Sequence, residues 1–593
     1  MDEIKQFYCV NCHELWPSKL NYCLQCKIDN IKYSRANDMI SLIDELNFDV
    51  KKCFEELTMI EEMLISPILV IMSVFRLPGG ALTNRGFCAN FSQNIQPIIN
   101  ILPRVTKDLP ILILKKKDQM NRIRHFVVNK RRVFICLDYL CKNNPQYIAH
   151  GIKIDQNLID LLPDNGIPQD FNEMGAIDSE LLIEKGPELF EETSTISEDN
   201  ISNDEFIEAY VENDQNEVLL DDKMKNAINF PQASMSSLNE YTTDSICSLA
   251  FPKLFPNGTG DPTKKARIKD VTEALAFKHL MKSAAKSYKT DDFYYPWAQH
   301  PRFKFWAYDR LRRHRGLEQC KVFLKHNIHD ANLTMKDLKE LINSRDCDTF
   351  MKKMSTYAAN ITGSDAYWYK RRSELEATFE QMKTATAFFT FSYPDHHLYD
   401  LHKLMPGPRA ETQAQKYRNL MNNPHLVDWF FSYRLNEFLK VVFDDILDCD
   451  WRWHRYEWQS RSSIHAHGAV KFKNDPDLVK LTTEVYIGRL AEKKIENGEY
   501  NSQEIYKQLM NDVNKGRESE EILINYTDTL ITAMNPRTSE TESGVPDPHP
   551  CSLKTSNIEE SRLNDDYNEL INCCQRHVCR INGYCKSKNI GEC

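Results

Sequence analysis

Two histidines one residue apart, in Ile464-His465-Ala466-His467-Gly468, are the side chains of this sequence best placed to share a metal ion. In an extended chain, residues i and i+2 project from the same side, so both imidazoles can meet one cation. Glu457 and Gln459, in Tyr456-Glu457-Trp458-Gln459, precede His465 by even offsets. They can share that face if Arg461-Ser462-Ser463 keeps the register. Two imidazoles with one carboxylate or amide leave positions open on a divalent ion, which a metal needs if it is to polarise a phosphate. The bland alternative is a strand whose histidines merely face solvent, and the neighbouring motifs weigh against it.

The elements that must position these residues begin upstream. Ala387-Phe388-Phe389-Thr390-Phe391 reads as a buried apolar strand running into a turn at Ser392-Tyr393-Pro394-Asp395-His396-His397. Such a strand, a helical stretch, then Glu-x-Gln and His-x-His, resembles the amino-terminal replication-initiator region of Helitron transposases. Further matches are Ser248-Leu249-Ala250-Phe251-Pro252-Lys253-Leu254-Phe255-Pro256 with Gly258, Gly260, Asp261 and Pro262. Tyr367-Trp368 with Arg371-Arg372-Ser373-Glu374-Leu375 fits, as does Asn423-Pro424 running into Trp429-Phe430. The resemblance covers residues 240 to 593, and the ordered combination is more specific than any one motif.

The resemblance implies a rolling-circle nuclease of the His-hydrophobe-His class. In that class two histidines and a third polar residue hold Mg²⁺ or Mn²⁺ against the scissile phosphate of single-stranded DNA. A tyrosine, whose free pKa of about 10 calls for activation, then attacks and leaves a 5′-phosphotyrosine and a free 3′-hydroxyl. Carried over by position, His465 and His467 are metal ligands, with Glu457 the favoured third ligand and Gln459 its alternative. The implied fold class is α+β: an antiparallel sheet flanked by helices, with the histidines on a central strand. A nuclear location, and a helicase encoded downstream or separately, are implied as well.

The sequence departs from that family at the nucleophile. The family places paired tyrosines about one helical turn apart beyond a cysteine cluster. After His467 this chain has Tyr486, Tyr500, Tyr506, Tyr526, Tyr567 and Tyr584, and no two are four apart. Tyr500 and Tyr506, with Lys507, lie in a polar helical stretch and read as decoys. The nucleophile is therefore expected to lie outside this chain, as in a truncated transposase or a split gene. No Gly-x-x-x-x-Gly-Lys-Ser/Thr phosphate loop occurs, the nearest approach being Gly258 to Lys264.

Cys9-x-x-Cys12 and Cys23-x-x-Cys26 form a zinc-knuckle pattern whose paired thiolates suit a closed tetrahedral Zn²⁺ site. A second Zn²⁺ site is expected at His577, Cys579, Cys585 and Cys593. Eighteen cysteines, half of them in these two clusters once the adjacent Cys573 and Cys574 are counted, point to reduced thiols and metal rather than disulfides. No secretory signal and no apolar run long enough for a membrane span is present, so no membrane partner is expected.

The net charge of −10 hides an asymmetry. From Asp170 to Asp222 there are 18 acidic residues and a single basic one, Lys185, which leaves the remainder of the chain at +7. That stretch reads as a disordered acidic linker. Ahead of it, helical periodicity runs over residues 36 to 63, a strand over Leu69 to Phe75, a second strand over Ile111 to Leu114 and a helix over Val133 to Cys141. This unit resembles the domain of unknown function often found ahead of Helitron catalytic regions, and Lys115 to Lys117 and Lys130 to Arg132 make it locally basic.

Between Asp292 and Lys325 aromatic and basic residues interleave, as proteins that bind single-stranded nucleic acid require. Arg302, Lys304, Arg310, Arg312, Arg313 and Arg315 are the expected DNA contacts. The expected organisation is a zinc knuckle over 1–30, a small α+β domain over 31–165 and an acidic linker over 166–235. A helical basic and aromatic DNA-binding region over 236–380 and a His-x-His nuclease-like core with its cysteine cluster over 381–593 follow. The leading expectation is a Helitron-type fragment that binds single-stranded DNA and a divalent metal. The alternative is a non-catalytic zinc-dependent nucleic-acid-binding protein; a zinc hydrolase built on His465, His467 and Glu457 ranks behind both, because no separate general base is evident.

Overall fold

A computed structural model describes residues 4–70, 72, 74–76, 82–84, 101–106, 109, 127–168, 240–328, 332, 334, 336, 337, 340, 347–392, 395–408, 410, 412–458, 463–530, 568 and 571. The expected strand at Ile111 to Leu114, the acidic stretch, Gln459 and the cluster of His577, Cys579, Cys585 and Cys593 lie outside these residues.

The amino-terminal cysteine turns are too short to bury a core of their own, and the chain attaches them to a larger body. Strand β1 (Lys5–Tyr8) pairs antiparallel with β2 (Leu15–Ser18), Phe7 opposite Trp16. The Leu15 N–H donates to the Lys282 carbonyl and the Ala284 N–H to the His13 carbonyl, each at 3.0 Å. The buried His279 ring meets the Glu14 carboxylate at 2.8 Å.

The helical periodicity expected over residues 36 to 63 resolves into two helices, α1 (Phe48–Glu56) and α2 (Met59–Ile65). Thr58 separates them: its hydroxyl accepts from the Glu61 N–H while the Glu61 carboxylate accepts from the Thr58 N–H, a capping box that starts a new helix. Residues 36 to 47 hold only short 3₁₀ turns, a correction to the sequence expectation. Of the expected strand at Leu69 to Phe75, the described residues show the end, in Val74–Arg76 paired with Leu82–Asn84. Helix α3 (Lys130–Asn143) contains the expected Val133 to Cys141.

Helix α4 (Phe303–His326) belongs to the same core as these elements. Phe54, Ile60, Leu64, Val133, Leu137 and Tyr147 cluster with Leu249, Phe251, Phe255, Phe277, Phe303 and Trp306. A buried polar knot crosses this core. Glu62 accepts from His300 Nε2 and Arg302 Nη2, both at 2.9 Å. His300 Nδ1 in turn accepts the N–H groups of Arg302 and Phe303 at 3.2 and 3.1 Å. An imidazole that accepts at one nitrogen and donates at the other is neutral. Burial, the largest influence, pushes His300 below its ordinary range in agreement with that role. Burial alone would raise Glu62, but His300 and Arg302 overcome it and hold the carboxyl at about 2.

The second core carries the site. Helix α5 (Asp365–Met382) leads into β3 (Ala387–Phe391), and α6 (Pro424–Phe438) precedes β4 (Cys449–Trp458) and β5 (Ile464–Phe472). The sheet order is β4-β5-β3, antiparallel throughout, so β5 with its histidines is central. On one face Ile464, Ala466, Val470 and Phe389 pack with Phe430, Phe431 and Leu435 of α6. Helix α5 touches the other face, where Trp451 Nε1 donates to the Met382 carbonyl at 3.2 Å and Phe379 lies 5.4 Å from the Trp451 ring. Helices α7 (Leu478–Glu496) and α8 (Gln503–Leu530) form a hairpin after the sheet, close enough that a Cβ at Gly488 would lie 2.9 Å from Gly516 Cα. The architecture is α+β, as expected.

Candidate metal and nucleic-acid site

The period of two that buries Ile464, Ala466 and Val470 turns His465 and His467 to the opposite face of the sheet. Gly468 permits this: a Cβ there would stand 2.2 Å from Phe389 Cζ and 2.5 Å from the Trp453 carbonyl. The register sets Glu457 directly opposite His465, and Arg455 and Thr390 opposite His467 on either side. The face therefore presents two imidazoles and a carboxylate on adjacent strands. The histidine rings are nearly parallel, 16° apart, with centroids at 6.5 Å.

The Nδ1 atom of each imidazole makes a hydrogen bond to a neighbouring residue. His465 Nδ1 donates to the Ser463 carbonyl at 3.2 Å, and His467 Nδ1 meets the Thr390 hydroxyl at 3.0 Å. Metal-binding histidines are oriented by such a bond at the nitrogen that does not hold the ion. His467 Nε2 lies 3.5 Å from Glu457 Oε2. Two ligand atoms each about 2.1 Å from one ion stand roughly 3.0–3.5 Å apart, so this pair has the spacing of co-ligands. The donor types are those a divalent cation takes, but among the described residues His465, His467 and Glu457 do not close into a cluster with all ligand atoms within 4.8 Å.

A carboxyl that sequence reasoning overlooked lies beside this face. Asp395 is buried, its Oδ1 has no hydrogen-bond partner, and burial pushes it up to about 7 against the opposing hydrogen bond of the Ser463 side chain. The same Ser463 supplies the carbonyl that holds His465. His402 Nε2 bonds the Asp395 carbonyl at 3.1 Å, and burial brings that imidazole down to about 4. Asp395 stands in the quoted Pro394-Asp395-His396-His397 motif, but only the tertiary contact with Ser463 ties it to the histidines.

The four amino-terminal cysteines do close into a cluster, with their sulfurs all within 4.8 Å of one another. Cys9 and Cys26 are 3.7 Å apart and Cys12 and Cys23 are 3.9 Å apart. A disulfide would bring sulfurs to about 2.05 Å, whereas a tetrahedral ion with metal–sulfur bonds of about 2.3 Å spaces them roughly 3.8 Å apart. The cage has the donor set and dimensions for zinc.

Two family models match parts of this chain. A family model described as the Helitron helicase-like domain at the N-terminus matches residues 296–470, ending on β5 just beyond the histidines. The chain carries a Helitron helicase-like domain. A second model, for a domain of unknown function (DUF6570), matches residues 29–160, and this pair of domains accords with a Helitron transposase amino-terminal region. No curated protein and no solved structure matches the chain.

Within the Helitron-like domain the structure redistributes the cations expected to touch DNA. Arg302 is buried on Glu62. Arg310 is 1% exposed and grips Glu273 with two bonds of 2.9 and 2.8 Å. Arg313 pairs with Glu240 and Asp309. The charges of all three are answered by carboxylates of the fold, Arg302 and Arg310 being buried and Arg313 part-buried. Lys304 is largely enclosed, and burial brings its amine down to about 8. Arg312 is half-buried and Arg315 is exposed on α4. In the interleaved stretch Trp297, Phe303 and Trp306 are core residues, and Arg302 and Arg310 answer Glu62 and Glu273, which lie outside it. Among the described residues no helix is long and apolar enough to cross a membrane.

Proposed function

We propose that this chain is the metal- and DNA-handling part of a Helitron-type rolling-circle transposase. In this reading His465, His467 and Glu457 hold Mg²⁺ or Mn²⁺ against a phosphodiester of single-stranded DNA. The observation that carries it is the cross-strand register: Glu457 faces His465 and approaches His467 Nε2, beside two rings whose Nδ1 atoms are tied back. The bound ion would supply charge neutralisation at the phosphate. The chain's own part is to orient the ligands through Ser463 and Thr390, with His465 buried at 3% exposure and the part-exposed His467 and Glu457 on the side the strand would approach. Zinc in the cage of Cys9, Cys12, Cys23 and Cys26 would hold the amino-terminal unit in place. The rings of Tyr500 and Tyr506, 5.1 Å apart and tilted by 54°, lie near the tip of the α7–α8 hairpin. By helix rise that tip lies roughly 25–30 Å from the hairpin's base at the sheet.

A short labelled single-stranded oligonucleotide tests the reading. Its retention by the full chain should rise on adding Mn²⁺, and His465→Ala or His467→Ala should abolish the rise. If Mn²⁺ changes nothing while removal of zinc weakens binding, the chain is instead a non-catalytic zinc-dependent nucleic-acid-binding protein. The complete closure of the cysteine cage, beside the open histidine set, is what favours that second reading.

A further inference from the structure

Phe388 occupies a position that packing does not explain. It lies on β3 between Ala387 and Phe389, and the alternation that sends Phe389 into the core sends Phe388 to the face of the histidines. There it is 73% exposed, while Phe389 is 8% exposed. A single exposed apolar residue is ordinary on a protein surface, but this one has a particular neighbour. Its ring lies within 14° of parallel to the His467 imidazole, with centroids 6.2 Å apart. The aromatic plane is thus held in the orientation of a metal-ligand candidate, and most of its surface has no cover. On the opposite flank, Arg455 lies over the Trp368 ring at 5.6 Å, and Trp368 is 43% exposed.

We propose that Phe388 is a base-stacking platform of this face, seating a nucleobase of single-stranded DNA beside the phosphate held at His467. The inference rests on the metal-and-DNA reading above and adds to it a subsite. Stacking on an aromatic ring recognises any base by its π-face, so the subsite takes single-stranded nucleic acid without demanding a sequence. Base-paired DNA does not offer a free π-face within a duplex, so the platform favours an unpaired nucleotide. Strands stand about 4.8 Å apart, which puts the Phe388 flank and the Arg455 flank roughly 10 Å from each other across the central strand. Arg455 on the far flank is about half exposed and only loosely paired with Glu457, at 3.4 Å, so its cationic head can also face the phosphate chain that an oligonucleotide lying across β5 would bring.

The experiment uses the full chain with zinc present, Mn²⁺, and single-stranded oligonucleotides in which one base at a time is 2-aminopurine. Quenching of this base reports stacking. The wild type should quench at one position, and Phe388→Ala should abolish that quenching and weaken oligonucleotide affinity on the order of tenfold. Phe388→Trp should retain both, and neither variant should alter Mn²⁺ affinity or the melting temperature, because the side chain is exposed. Phe388→Ala binding as tightly as wild type, with quenching intact, would overturn the proposal. So would a Phe388→Ala variant that loses Mn²⁺, since the ring would then serve the imidazole rather than a base. If the wild type shows no Mn²⁺-dependent binding at all, the underlying metal reading fails and the subsite with it.

Discussion

Gly468 stands where the histidine strand passes Phe389, and its missing side chain lets the core approach the sheet. Gly468→Ala should cost about 1–3 kcal/mol through overpacking, since the ring and the Trp453 carbonyl both have to move. Thermal melting would show this, and a melting temperature equal to wild type would mean the strand relaxes freely. The same residues show why this part of the site was legible. Strand alternation alone assigns His465 and His467 to one face, because a period of two needs no knowledge of the partners, whereas Glu457 joins them through the cross-strand register. Asp395 was not legible: its raised pKa comes from burial and its link to His465 from Ser463, and both depend on tertiary packing. Gln459, the alternative ligand, lies outside the described residues.

At the scale of elements, α4 separates structural from surface cations. Arg315→Ala should lower affinity for single-stranded oligonucleotides modestly and reduce the steepness of its salt dependence by about 1 in the log–log slope. Arg310→Ala should instead destabilise the fold by about 3 kcal/mol, because it leaves Glu273 without its buried partner. Equal effects of the two substitutions on DNA binding, with no loss of stability in the second, would contradict this division. The amino-terminal turns make a related prediction. Stripping the metal cage with a thiol-competitive chelator should accelerate hydrogen exchange at Leu15 and Ala284, whose N–H groups join the two units. Amides of β5 should keep their protection. The cysteine spacing announced the cage from the sequence, whereas its docking on residues 279 to 284 rests on contacts too distant in the chain for local patterns to reveal.

At the scale of the whole molecule, the DUF6570 match and the opening of the Helitron-like match share one core, with Glu62 answering His300 and Arg302 across it. Glu62 stays ionised in the folded chain down to about pH 2, whereas a free glutamate takes up a proton near 4.5. The stability this contributes, on the order of 3 kcal/mol, is whole above pH 4.5 and is lost as the pH falls toward 2. Glu62→Gln should therefore lower the melting temperature at pH 7 and flatten its fall between pH 4.5 and 2. An unchanged acid limb would remove Glu62 from the account. Composition and motif order indicated the α+β class and the Helitron resemblance, but not that the two matched segments fold around common side chains such as Phe54, Phe251 and Phe303.

The central claim is that His465 and His467, with Glu457, grip one divalent ion. Crystals of the full chain grown with Mn²⁺ and measured for anomalous scattering test it most directly. The account predicts a manganese peak about 2.1–2.3 Å from Nε2 of both histidines, and no such peak in His467→Ala. Crystals soaked to saturation with no peak on that face, or a peak held by the cysteines alone, would contradict it.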